Sequence, residues 1–191
     1  RIDYTKGIIE KIEAVDRFFE KFPKYKGKVV FIQKGGLSRM HIPEYKMLNE
    51  RLNGIVEEVN WKHSTEKWAP ILFIRKHMTR KEIIALYKMS DACLVSPSHD
   101  GMNLVCKEFI SAKNDLNGVL LLSQFTGAAR ELEDAIFVNP YDREGFAKAI
   151  KKAIELPQAE KQKRMKRLRS VVRENNIYKW AGKFLEELRK I

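Results

Sequence analysis

Five short apolar runs, at 28–33, 71–74, 92–96, 118–122 and 135–138, constrain this chain most, because each is close to continuous rather than alternating. A strand that is apolar on both sides calls for cover on both sides, as in a parallel sheet enclosed by helices. The intervals supply those helices. Ile8, Ile12, Val15, Phe18, Phe19 and Phe22 recur at helical spacing, and Pro23 with Gly27 closes the pattern. Similar spacing predicts helices over 43–59, 102–112, 143–155, 158–174 and 177–190, with a short one near 128–132. Another runs to about residue 89 from Thr79, with Glu82 at the reciprocal capping position. The economical architecture is α/β, a doubly wound parallel sheet of Rossmann-like type. Ligands of such sheets sit beyond the carboxyl ends of the strands. Ser38-Arg39, His77-Met78, residues 98–103 and residues 123–128 all fall at such ends.

A chain of 191 residues with 44% hydrophobic and 32% charged residues has the volume for one real core and is not a disordered segment. Residues 1–157 read as the Rossmann-like domain, and 158–191 as helices packing on it within the same structural unit. No apolar run approaches the roughly 20 residues of a membrane span, and the start resembles no signal segment. The chain begins inside a motif, so we expect a domain excised from a longer polypeptide. Its two cysteines, Cys93 and Cys106, form neither a disulfide framework nor a metal spacing and read as inert thiols of a cytoplasmic protein. His41 and His63 read as surface or structural.

The formal charge of +12 is unevenly spread: residues 151–191 hold 13 Lys/Arg against 5 Asp/Glu. The run 161–169 is basic enough to attract nucleic acid. Met165, Leu168, Val171 and Val172 recur within and beyond it at helical spacing, which makes it the solvated face of a helix. No zinc, homeodomain or aromatic-stacking signature accompanies it, so we expect no specific nucleic-acid partner and no membrane partner.

The chemistry concentrates in Ser98-His99-Asp100-Gly101-Met102-Asn103-Leu104-Val105-Cys106-Lys107-Glu108. This loop leaves one strand and opens a helix whose first amides have no partner within it. A carboxylate beside such amides suits a sugar that carries phosphate, since hydroxyls need an acceptor and phosphates need donors. An Asp-Gly turn that merely caps a helix accounts equally well for the loop by itself.

Three further blocks accompany it: Arg1-Ile2-Asp3-Tyr4-Thr5-Lys6-Gly7, Leu122-Ser123-Gln124-Phe125-Thr126-Gly127-Ala128-Ala129, and Val138-Asn139-Pro140-Tyr141-Asp142. In this order and at these intervals the four blocks resemble the C-terminal half of the trehalose-6-phosphate synthase family, from Arg1 to the final helix. The resemblance implies the donor-binding half of a retaining GT-B glycosyltransferase. UDP-glucose would be its donor and glucose 6-phosphate its acceptor, with no cofactor and no metal. It assigns Arg1 and Lys6 to the diphosphate and Asp100 to the sugar hydroxyls, these three being the catalytic set. Gly101, Met102 and Asn103 would give amides to the sugar, Leu104 and Val105 amides to the diphosphate, and Glu108 an acceptor for the ribose hydroxyls. His77 and Met78 would meet the uracil edge, and Arg39 the acceptor's phosphate.

The chain departs from the family at His99, where arginine is usual, and at Gly35-Gly36-Leu37 ahead of Ser38-Arg39. The family's N-terminal domain, which makes most of the acceptor pocket, is not in this sequence, so we expect this polypeptide alone to be inactive. Glucosylglycerol-phosphate synthases and pseudo-glycosyltransferases share much of the pattern and stand as alternatives. A non-catalytic nucleotide-binding or regulatory domain is the alternative of another class. The donor base and a homo-oligomeric state stay open.

Overall fold

A computed structural model describes residues 2–36 and 41–190. Five strands, β1 (Phe31–Lys34), β2 (Ile71–Ile74), β3 (Ala92–Val95), β4 (Val119–Ser123) and β5 (Ile136–Val138), are all parallel to their neighbours. Among the described residues seven α-helices precede, join or follow them: α1 (Ile8–Lys21), α2 (Pro43–His63), α3 (Arg80–Met89), α4 (Leu104–Ala112), α5 (Arg143–Glu155), α6 (Gln158–Glu174) and α7 (Ile177–Leu188). The fold is the doubly wound α/β type.

The continuous apolar runs explain the layering. In β4 every position is buried. Its odd-numbered residues Val119 and Leu121 enter a core with Ile12, Phe18 and Phe19 of α1, Leu52 and Val56 of α2 and Phe146 and Ile150 of α5. Leu120 and Leu122 point the other way, into a second core with Phe109 and Ile110 of α4 and Met165 and Leu168 of α6. The strand period of two thus feeds two cores at once.

The strands form two sheets, β1-β2 and β3-β4-β5. Segment 2–7 runs between them: the Ile2 amide donates to the Gly36 carbonyl at 3.1 Å, and the Ser98 amide to the Thr5 carbonyl at 3.0 Å. Cover on both sides holds for β4 but not for β1-β2, where Val30, Ile32 and Leu72 are exposed. Helix α3, which follows β2, packs on α4 and buries none of its residues fully.

Several boundaries differ from the sequence expectation for tertiary reasons. Strand β1 starts at Phe31, because the Lys28 and Val29 amides are spent on the Tyr25 carbonyl. Helix α2 runs on to His63, which is buried and lies 2.6 Å from Asp16 of α1, while Lys62 pairs with the same aspartate at 2.9 Å. The segment near 128–132 is a 3-10 turn, Gly127–Arg130. The capping box of Thr79 and Glu82 forms as the sequence indicates.

Helix α6 is held by more than Met165 and Leu168. Arg167 Nε lies 2.8 Å from both carboxylate oxygens of Asp134, and Arg169 Nη1 donates to the carbonyls of Ile110 and Ser111 at the end of α4. Part of the basic run is therefore bonded to the domain rather than solvated, whereas Lys163 and Lys166 are exposed. Helix α7 buries none of its residues and exposes Ile177, Tyr178, Trp180, Phe184, Leu185 and Leu188, with Trp180 and Phe184 stacked at 5.6 Å.

Candidate functional site

The site begins with a three-residue 3-10 turn, Tyr4–Lys6, capped by Asp3, whose Oδ1 accepts from the Thr5 amide and hydroxyl at 3.0 Å each. Gly7 follows in the left-handed region at φ +59°, and a Cβ there would lie 2.0 Å from the Ser96 carbonyl oxygen. Only glycine allows this approach. With the Ser98 hydroxyl also donating to the Thr5 carbonyl at 3.1 Å, the turn is pinned to the end of β3. Lys6 then reaches Asp100, 94 residues away in sequence, at 2.8 Å.

Asp100 is held from several directions. Asn103 Nδ2 donates to its Oδ2 at 3.1 Å, and the Met102 amide to its Oδ1 at 3.4 Å. Burial alone would raise its pKa, but the Lys6 ammonium, the Asn103 amide and the Met102 N–H outweigh that and hold it below the usual carboxylate range. The carboxylate is an anion and an acceptor at any working pH.

Asn103 adopts φ +74° without being glycine, and caps α4 by accepting from the Cys106 amide at 3.4 Å. This is why α4 starts at Leu104 rather than 102: residues 101–103 form a turn instead. Such strain is held by its surroundings. The neighbouring loop supplies them: the Gly127 amide donates to the Asp100 carbonyl at 2.9 Å, the Thr126 hydroxyl to the Met102 carbonyl at 2.8 Å, and the Ala128 amide to the same carbonyl at 3.2 Å.

Leu104 and Val105, both exposed, form the first turn of α4, where amides lack partners within the helix and the helix dipole is positive. Glu108 stands exposed at the fifth position of the same helix and accepts from the Tyr87 hydroxyl at 3.0 Å. His77 and Met78 lie in the connection between β2 and α3. Thus Lys6, Asp100 and Asn103 come together in hydrogen-bonded contact, Gly101 and Met102 belong to the same turn, and Leu104, Val105 and Glu108 line the helix it opens. Arg1 and Arg39 lie outside the described residues.

A cavity of about 630 Å³ adjoins Asp100 and Gly101, lined also by Gln124, Phe125, Arg130 and Phe137. Sequence reasoning placed residues 123–128 at a strand end but missed that Thr126 and Gly127 brace the Asp100 loop, and that Tyr87 reaches Glu108. The Thr-Gly pair is a legible turn signal; a tyrosine late in a helix carries none. Cys93 and Cys106 are free thiols, and burial pushes them up to about 12 and about 11. Among the described residues no three His, Cys, Asp or Glu side chains could together hold a metal ion, and no helix is long and apolar enough to cross a membrane.

Comparison with known proteins agrees with this fold. Residues 1–190 match glycosyltransferase family 20. A trehalose-6-phosphate synthase of Klebsiella pneumoniae is 38% identical over 192 aligned positions, covering 100% of this chain and 40% of that protein. Among solved structures, one from E. coli described as bound with UDP-2-fluoro glucose superposes with a TM-score of 0.96 at 36% identity, covering 100% of this chain and 43% of that one. The Burkholderia xenovorans α,α-trehalose-phosphate synthase (UDP-forming) in complex with glucose-6-phosphate gives 0.95 at 37% identity, with 99% and 42% coverage. This chain therefore spans about two fifths of the length of the relatives it matches.

Proposed function

We propose, because the chain belongs to glycosyltransferase family 20, that its Lys6–Asp100 site binds the nucleotide-sugar donor of a retaining glucosyl transfer. UDP-glucose is the donor in this reading and glucose 6-phosphate the acceptor, so that the full reaction yields trehalose 6-phosphate and UDP. The observation that carries it is the convergence of a cation, a carboxylate and the first turn of α4 at the carboxyl end of β3.

The chemistry follows from charge. Breaking the bond between the anomeric carbon and the diphosphate leaves negative charge on the phosphate oxygens and positive charge on the sugar. Donors fixed before the reaction stabilise that departing charge more than they stabilise the intact donor. In this reading Lys6 and Arg1 meet the diphosphate, and the amides of Leu104 and Val105 add neutral donors from the helix start. Asp100, kept ionised, accepts from sugar hydroxyls and fixes the ring, with the amides of Gly101 and Asn103 beside it. Glu108 accepts from the ribose, and His77 and Met78 present backbone to the base. Retention follows when the acceptor attacks the face from which the phosphate leaves, the departing phosphate taking the acceptor's proton. No metal is required, because cationic side chains and amides supply the electrophilic role.

The acceptor must be walled in from the other side for transfer to outcompete water. In our reading that wall and most acceptor contacts come from a second domain, with Arg39 reaching the acceptor's phosphate. Residues 1–157 are then the donor domain and 158–191 its helical completion, in a cytoplasmic enzyme. Calorimetry with UDP and UDP-glucose, alongside a coupled assay of UDP release with glucose 6-phosphate, tests this. We expect binding without turnover from this chain alone. Absence of nucleotide binding at millimolar UDP would overturn the assignment.

A further inference from the structure

Glu108 is an exposed side chain with three rotatable bonds, poorly suited by itself to fix a ligand. Tyr87 corrects that. It sits on the last turns of α3, half-buried, with its ring edge-on to the fully buried Phe109 at 6.1 Å. The ring is thus fixed by the second core, and its hydroxyl donates to Glu108 Oε2 at 3.0 Å. A carboxylate has about four acceptor positions on two oxygens. One is now occupied by a rigid donor, and Oε1 stays open.

We propose that Tyr87 is a positioning residue for the donor nucleotide, holding the Glu108 carboxylate so that it accepts from both ribose hydroxyls and thereby favours ribonucleotides over their 2′-deoxy counterparts. The inference rests on the donor-site reading above and adds to it a determinant outside the sequence motif. The phenol remains a donor throughout the working range, because burial and then the neighbouring Glu108 carboxylate push its pKa far above 10. A carboxylate that swung freely would lose rotamer freedom on binding, which the preset contact avoids.

Tyr87→Phe keeps the ring against Phe109 and removes only the hydroxyl. Calorimetry with UDP and 2′-deoxy-UDP is run on the unaltered chain, on Tyr87→Phe, and on Glu108→Asp, which draws the carboxylate back from the phenol with Tyr87 in place. We expect the unaltered chain to prefer UDP, and both variants to bind UDP about 3–10-fold more weakly with a smaller loss for the deoxynucleotide. The ratio between the two nucleotides is the readout, since a merely structural role would weaken both alike. A preference that Tyr87→Phe leaves intact would overturn the proposal while the donor reading stands. No UDP binding by the unaltered chain would instead sink the donor reading itself.

Discussion

Replacing Gly127 with alanine puts a methyl group where the loop has no room. A Cβ at this position would lie 2.0 Å from the Gly101 carbonyl oxygen, against a practical limit of 3.0 Å, so something must move by about 1 Å. The obstacle is backbone, not a flexible side chain. Moving residue 127 away strains three bonds that hold the Asp100 turn: Gly127 N–H to Asp100, Ala128 N–H to Met102, and the Thr126 hydroxyl to Met102, at 2.9, 3.2 and 2.8 Å. At about 1 kcal/mol for each, losing two or three costs about 2–3 kcal/mol. For a chain of this size that is a fall in melting temperature of about 4–12 °C. The turn carries Asp100, so UDP affinity should fall as well, by about tenfold for each 1.4 kcal/mol of misplacement. Urea unfolding gives the first quantity and calorimetry the second. A loss of stability under about 0.5 kcal/mol with unchanged UDP affinity would refute the argument that this glycine braces the site.

On the donor-site reading, Glu108→Gln should weaken UDP binding by about 1–3 kcal/mol with the fold intact by circular dichroism, since an amide would lose the charge-assisted bonds to two hydroxyls. Replacing Lys161, Lys163 and Lys166 by Gln should leave UDP affinity unchanged and stability nearly so; in fluorescence anisotropy, duplex DNA binding should be weak and abolished by physiological salt. Tight, sequence-selective binding lost in that triple variant would mean the basic face has a nucleic-acid role. The Tyr25 hydroxyl and then the Lys24 ammonium lower Glu155 from 4.5 to about 2. A depressed carboxyl stabilises the fold above its unfolded pKa and loses that effect as pH falls through its folded one. The urea midpoints of the unaltered chain and Glu155→Gln should therefore differ at neutral pH and converge between about 4.5 and about 2.

The alternation of apolar runs and amphipathic stretches made the doubly wound fold legible, because a strand such as β4 has no stable use other than burial on both sides. The Asp-Gly-Met-Asn loop was legible for a related reason: its glycine and its polar residues sit where a strand hands over to a helix. Less legible was anything set by distant contact. The sequence does not show that α3 packs on α4, since its spacing serves any apolar surface. Nor does it show that Arg164, Arg167 and Arg169 have partners in the body of the domain, since a basic run looks the same bonded or solvated. The Lys6–Asp100 pair needed both the motif at residues 1–7 and the close approach at Gly7, and only the motif is written locally.

Segment 2–7 has a thermodynamic consequence of its own. It touches β1's end through Ile2 and β3's end through Thr5, and Lys6 at its tip binds the loop after β3. On the proposed donor-site reading, a nucleotide gripped by Lys6 and Asp100 acts as a suture at the seam between two sheets that, among the described residues, share no strand pairing. Occupancy then resists opening of either edge, so the ligand's grip is felt at places it never touches. At a concentration 100 times the dissociation constant the suture is worth about 2.7 kcal/mol against unfolding. Amide exchange at Ile2 and Ser98, whose bonds tie segment 2–7 to the two sides of the seam, should slow together as UDP is added.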